Sequence, residues 1–155
     1  MLFRSIEARH KGAKLIVFDT RLSNTATHAD HWVSPYPGSE PAILLAIANH
    51  LIQHEQYNRE FVRKWWNWQE YMVQERPQID PTFDHFERTL KDLYRPYTFE
   101  FAAGESGVDV RTIEAIADTV ATAGARLATH NWRRDRKSTR LNSSHMSESR
   151  MPSSA

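Results

Sequence analysis

The sequence predicts an α/β fold, a parallel sheet with flanking helices, and three observations carry that expectation. Residues 13–18 (Ala-Lys-Leu-Ile-Val-Phe) are a short run of β-branched and large side chains between Gly12 and Asp19. Such a run reads as a strand buried on both faces, as in parallel sheets. Beyond Pro41, apolar residues recur at helical spacing rather than in alternation. Arg126-Leu-Ala-Thr129 then reads as a further strand. Strand, crossover helices and strand make a right-handed βαβ-type arrangement the default.

The elements follow in order. Residues 5–12 look like the last turns of a helix closed by a C-terminal glycine. After the first strand, Val33 and its neighbours add a short second one before Pro35 and Pro37. Ser39 or Glu40 caps a helix with Pro41 in its first turn, where a missing N–H is tolerated. That helix runs to about Gln56 and is apolar on most of its surface, so it should pack on the sheet. Residues 57–74 read as another helix, with Phe61, Trp65, Trp68 and Met72 as an aromatic inner face. A third runs from Pro81 or Thr82 to Leu93 with Phe83, Phe86 and Leu90 inward. Residues 97–103 begin a short helix ending between Gly104 and Gly107. Asp109 caps the last, Val110–Ala123, whose Ile113, Ile116 and Val120 form a stripe; Gly124 closes it. No internal repeat is present.

At 155 residues and 40% hydrophobic content, the chain can build one ordinary core. Lys and Arg number 20 against 19 Asp and Glu, so charge does not favour a nucleic-acid partner. The best apolar run, residues 43–52, is broken by Asn49 and His50 and is too short to span a bilayer. No signal segment precedes Phe3-Arg4-Ser5, so the compartment is unknown. With no cysteine, disulfides, a thiolate nucleophile and cysteine-ligated iron-sulfur clusters are excluded within this segment.

Composition changes after Trp132-Arg133-Arg134. Residues 135–155 hold seven serines, with Leu141, Met146 and Met151 as the only large apolar side chains, so disorder is expected. Asp135-Arg-Lys-Ser-Thr-Arg-Leu-Asn-Ser-Ser-His145 resembles the translation of a common short-read sequencing adapter, and Ser149-Arg-Met-Pro-Ser-Ser-Ala155 its continuation. The stretch is expected to be a read-through scar and is set apart from the fold. Residues 1–134 are then the natural part, expected to continue beyond Arg134 and to have something before the first helix.

Chemistry concentrates between residues 19 and 40. An acid at the end of a parallel strand accepts hydrogen bonds from ribose hydroxyls or base amines, and Asp19 fits that use. Arg21 offers a planar fork for phosphate or carboxylate. Ser23, Asn24, Thr25 and Thr27 add short polar groups. Gly38 lets the backbone approach a ligand, and the helix start near Ser39 favours acceptor or anionic groups. Glu40 can bridge two donors of a guanine edge. Either acid alone is better explained plainly, Asp19 by turn amides and Glu40 by the helix dipole.

Order and spacing change that balance. Asp19-Thr20-Arg21, Thr25-Ala26, Ala29-Asp30 and Pro37-Gly38-Ser39-Glu40, followed by an apolar helix, resemble the molybdopterin oxidoreductase (dimethyl sulfoxide reductase) family. Its usual string is close to Val-Asp-Pro-Arg, Thr-Ala, Ala-Asp and Pro-Gly-Thr-Asp. Thr20 thus replaces a proline and Glu40 an aspartate. Residues 99–103, Gly107-Val108 and the helix after Asp109 continue the likeness more loosely. The resemblance implies a partial Rossmann-like sheet, incomplete at both ends. It makes residues 1–134 part of a molybdopterin guanine dinucleotide-binding domain with a helical aromatic insert at about 57–97. Asp19, Thr20, Arg21, Leu22 and Ser23 would form the loop over one guanosine; Gly38, Ser39 and Glu40 would meet its guanine end. Asp30 would brace the loop.

The same resemblance implies a parent enzyme that holds molybdenum between two such dinucleotides and exchanges oxygen or hydride equivalents with a small-molecule substrate. Electrons would pass through a 4Fe-4S cluster to an iron-sulfur partner, without nucleic acid or a direct membrane span. The cluster's cysteines and the molybdenum ligand lie elsewhere in the family, so the segment alone is expected to be inactive. No residue here is assigned a catalytic or metal-ligating role. His50 and His54, four apart, suit a metal but lack a third ligand, as do His28 and His31. His130, Asn131 and Trp132 stand where the sheet would again place ligand contacts. Gly-x-Ser-x-Gly and Gly-x-Gly-x-x-Gly are absent, which counts against a hydrolase elbow and an ordinary NAD domain. Two alternatives stay open: another nucleotide-binding enzyme, or a non-catalytic helical interaction module.

Overall fold

The computed structural model describes residues 2–129. Helix α1 (Leu2–His10) ends at Gly12, whose φ of 91° lets the Ala13 amide reach the Ala8 carbonyl at 3.0 Å. Strand β1 (Ile16–Phe18) runs parallel to β2 (His31–Val33), with Ile16 beside His31 and Phe18 beside Val33. A loop with a single 3₁₀ turn, Ala26–His28, joins them. Helices then fill the chain: α2 (Glu40–Gln53), α3 (Arg59–Trp65), α4 (Trp68–Glu75), α5 (Phe83–Tyr94), α6 (Phe99–Ser106) and α7 (Val110–Ala123). The expected α/β class and parallel pairing are present, in a sheet of two strands among the described residues.

Local signals set the helix starts. Asn58, Thr82, Thr98 and Asp109 each accept a hydrogen bond from the amide three residues on, at 2.9 to 3.3 Å. Each such cap stabilises its helix by about 1 kcal/mol. Ser39 occupies the N-cap of α2, but its hydroxyl donates back to the Tyr36 carbonyl at 2.7 Å instead of capping an amide.

Two cores result. In the first, Ile43 of α2 and Ile113 and Ile116 of α7 are fully buried around Ala102 of α6, with Ile16, Phe18 and Val33 of the sheet against them. Burying each isoleucine contributes roughly 1.5–3 kcal/mol. The small Ala46 and Ala102 let α2 and α6 approach closely. The second core joins α3, α4 and α5 through Val62, Trp68, Met72, Phe83 and Phe86. Arg59 clamps its rim, donating to Glu87 at 2.8 Å and Asp84 at 2.7 Å, while the Tyr57 hydroxyl donates to Glu87 at 2.8 Å. Burial raises the Glu87 pKa and the hydrogen bonds from Arg59 and Tyr57 lower it more, so the carboxylate sits below its ordinary value.

Four expectations are corrected. Residues 57–74 form two helices, because the Trp68 indole donates to the Arg63 carbonyl at 2.9 Å. A continuous helix would have given that carbonyl to the Asn67 amide. Phe61 and Trp65 therefore face outward, 54% and 66% exposed, while Trp68 and Met72 are buried. Helix α2 stops at Gln53, not near Gln56: Glu55 takes φ 57° and the Gln56 amide closes on Leu51. Strand β1 is half-buried throughout rather than buried on both faces. Residues 126–129 are not a strand; Gly124–Arg126 is a 3₁₀ turn, and no described strand lies beside it to complete a ladder. His130 to Trp132 and the tail at 135–155 lie outside the described residues.

Candidate functional site

Parallel pairing puts both predicted ligand segments at one edge. Asp19, Thr20, Arg21, Leu22 and Ser23 follow β1, and Gly38, Ser39 and Glu40 follow β2 after a short turn, so all leave the carboxyl ends of the strands. This is the edge where α/β sheets bind ligands. The loop after β1 is stitched to β2 by three hydrogen bonds. The Asp19 amide donates to the Val33 carbonyl at 3.0 Å, the Trp32 indole donates to the Asp19 carbonyl at 2.9 Å, and Ser34 Oγ donates to the Thr20 carbonyl at 3.4 Å.

Each acid also serves its own turn. Asp19 Oδ1 accepts from the Arg21 amide at 3.1 Å, and Glu40 Oε2 accepts from the Gly38 amide at 3.0 Å. Ser23 Oγ accepts from the Ala26 amide at 3.4 Å. Among the described residues no hydrogen bond links 19–23 directly to 38–40, and Arg21 makes no ion pair. Each carboxylate keeps one oxygen outside these bonds. Gly38, at φ 91°, has open space where a side chain would stand. Carboxylate acceptors, a free guanidinium and an approachable glycine suit the amines, hydroxyls and phosphates of a nucleotide.

Asp30, expected to brace the loop at 19–23, instead braces the opposite edge of the sheet, with no hydrogen bond to that loop among the described residues. Its carboxylate accepts from the Leu15 amide at 2.8 Å, from Arg9 at 3.2 Å and from Lys14 at 3.4 Å, tying α1 to the sheet's amino edge. The Leu15 amide holds the Asp30 carboxyl below its ordinary range against some burial, with Arg9 and Lys14 helping. A cavity of about 560 Å³ lies at this amino edge, lined in part by Arg9, His10, Lys14 and His28, and includes none of the predicted ligand residues. The His50 and His54 rings lie 4.4 Å apart, tilted by 39°, with His50 Nε2 3.5 Å from Asp118. No group of three or more metal-ligating side chains comes together among the described residues, and no described helix is long and apolar enough to cross a membrane.

Sequence reasoning passed over two residues at the carboxyl edge. Tyr36 and Trp32 stand exposed beside the predicted loops, at 63% and 43%. Tyr36 lies between Pro35 and Pro37, immediately before the glycine turn, and nothing local in the sequence marks it as exposed.

No protein-family model matches the chain. The molybdopterin-containing subunit of thiosulfate reductase from Salmonella typhimurium is 35% identical over 74 residues, 48% of this chain and 10% of that subunit. The alpha subunit of F420-dependent formate dehydrogenase from Methanocaldococcus jannaschii is 30% identical over 110 residues, 71% of this chain and 14% of that subunit. Among solved structures, acetylene hydratase from Pelobacter acetylenicus matches with a TM-score of 0.55 and 28% identity, over 74% of this chain and 14% of its own. The chain thus spans 10% to 14% of the length of these relatives. Its homologues are the catalytic subunits of molybdopterin-containing oxidoreductases of the dimethyl sulfoxide reductase family, and the chain corresponds to one part of them.

Proposed function

We propose that residues 1–134 are the part of a molybdopterin-dependent oxidoreductase catalytic subunit that grips the guanosine end of a molybdopterin guanine dinucleotide. The observation that carries this is the pair of turns leaving the carboxyl ends of two paired parallel strands, the first of them stitched to the second strand. Asp19 and Glu40 would accept from ribose hydroxyls and the guanine amines. Arg21 would face phosphate, Thr20 and Ser23 would supply hydroxyl contacts, and Gly38 would let backbone and ligand approach. Leu22, 58% exposed, would close the loop over the sugar. The two strands would be one end of a Rossmann-like sheet, with residues 57–97 as its helical insert.

When bound, the molybdenum-pterin group would supply the redox chemistry, in a parent that draws on a 4Fe-4S cluster and an electron-transfer partner. This chain's residues would bind and orient. With neither cluster ligands nor a molybdenum ligand of its own, the segment alone would show no substrate turnover with an artificial electron carrier. The alternatives, another nucleotide enzyme or a helical interaction module, find no support among the relatives.

Isothermal titration of the full 155-residue chain with GDP, ADP and inorganic pyrophosphate tests the reading. GDP should bind best, and D19N and E40Q should each weaken it by roughly ten-fold, the usual cost of losing one charged acceptor. Equal binding of GDP and pyrophosphate, unaffected by either substitution, would overturn it.

A further inference from the structure

We propose that Tyr36 is the platform on which the purine of that guanosine stacks, an inference that rests on the guanosine reading above. The main chain at Tyr36 is fastened on both sides. Its amide donates to the Ser106 carbonyl at 3.0 Å, and its carbonyl accepts both the Ser39 amide at 3.0 Å and Ser39 Oγ at 2.7 Å. Ser106 is itself fully buried, donating to the Ala102 carbonyl and accepting the Val108 amide. The residue is thus anchored to the corner between α6 and α7, and it holds the turn that presents Gly38 and Glu40.

The ring has a contact of its own. Its phenol end rests on Gly107, where an added Cβ would stand 2.6 Å from Cζ and 2.9 Å from Oη. Gly107 also sits at φ 70°, so this corner is shaped for a residue without a side chain. Beyond that contact Tyr36 remains 63% exposed, and its hydroxyl makes no hydrogen bond among the described residues. An aromatic ring left open in the turn that carries Gly38 and Glu40, at the same sheet edge as Asp19 and Arg21, matches a heteroaromatic base, whose faces are apolar and whose edges are polar. A protein segment packing here would have to leave the acids and Arg21 at its apolar margin.

Saturation-transfer NMR and calorimetry on the full chain, with GDP as the probe, separate the outcomes. Y36A should weaken GDP binding by about ten-fold, within the range for loss of one base–aromatic stack. Y36F should bind as the parent does. Y36L, which still covers Gly107 but has no π face, should behave like Y36A while its circular dichroism and melting match the parent. The guanine H8 resonance should shift upfield on binding to the parent and to Y36F only. If GDP binds the parent, Y36L and Y36A alike, the stacking role is wrong and the guanosine site stands. If GDP does not bind the parent chain, both fall.

Discussion

The two edges of the small sheet carry the same residue type and use it in opposite ways. At the amino edge Asp30 is surrounded, with a backbone amide at 2.8 Å and two cations at 3.2 and 3.4 Å. At the carboxyl edge Asp19 serves one amide at 3.1 Å and pairs with no cation among the described residues, although Arg21 is two positions away. A carboxylate with its acceptor sites occupied fixes the chain; one with an open oxygen remains available to a ligand. The difference separates a committed carboxylate from an uncommitted one within one short βxβ unit.

The sharpest way to break the comparison is to delete both carboxylates in turn. Asp30→Ala strips acceptors from Leu15, Arg9 and Lys14 and should destabilise the chain by about 2 kcal/mol in urea denaturation, as hydrogen bonds to charged groups do. Asp19→Ala should cost far less. If the two losses are equal, the edges do not differ in the way described.

Next in size is Gly107→Ala, which tests how firmly the open edge is shaped. The left-handed backbone alone costs roughly 1 kcal/mol for alanine, and the Tyr36 ring must also move. In a double-mutant cycle with Tyr36→Ala, the part due to the ring should vanish and the backbone part remain. Full additivity would mean the ring is not held against this corner.

Acid sharpens the contrast from the braced side. The Leu15 amide, with Arg9 and Lys14, holds the Asp30 carboxyl below its ordinary value of 3.8. A carboxyl whose folded pKa is depressed adds stability that is present above the unfolded value and lost as pH falls through the folded one. The advantage of the parent over Asp30→Asn, about 1 kcal/mol at neutral pH, should therefore shrink as pH falls below 3.8. A difference independent of pH would remove the charge from the argument.

How much of this was legible depends on where the determining contact lies. The caps at Thr82, Thr98 and Asp109 and the left-handed Gly107 act within a few residues, so the sequence displays them. The strand at residues 16–18 is legible too, whereas the partners of Asp30, Arg9 among them, are set by the tertiary fold. The break at Trp66 was hidden because Phe61, Trp65, Trp68 and Met72 keep helical spacing across it, while the extended backbone at Trp66 and the indole bond to Arg63 mark the helix end. The strand expected at residues 126–129 failed for a different reason, since a strand needs a partner and none is described there. In the candidate site, the turn bonds of Asp19 and Glu40 were foreseeable from neighbouring amides. Tyr36 was not, because its anchors, Ser106 and Gly107, are distant in sequence.

The smallest expected effect is the most discriminating. Asp19→Ala removes one bond to an exposed backbone amide, and water can replace that partner, so the stability change should stay within about 0.5 kcal/mol. The three bonds that stitch the loop to β2 use the Asp19 and Thr20 backbone, not the Asp19 side chain, and should survive. A side chain that contributes little to folding, on a loop whose backbone is independently secured, is free to be specified by what it binds. Urea denaturation beside GDP titration of the same variant decides this: stability kept and binding lost marks a ligand residue. Stability lost as in Asp30→Ala would make Asp19 a second brace, and the carboxyl edge would then hold the sheet rather than the nucleotide.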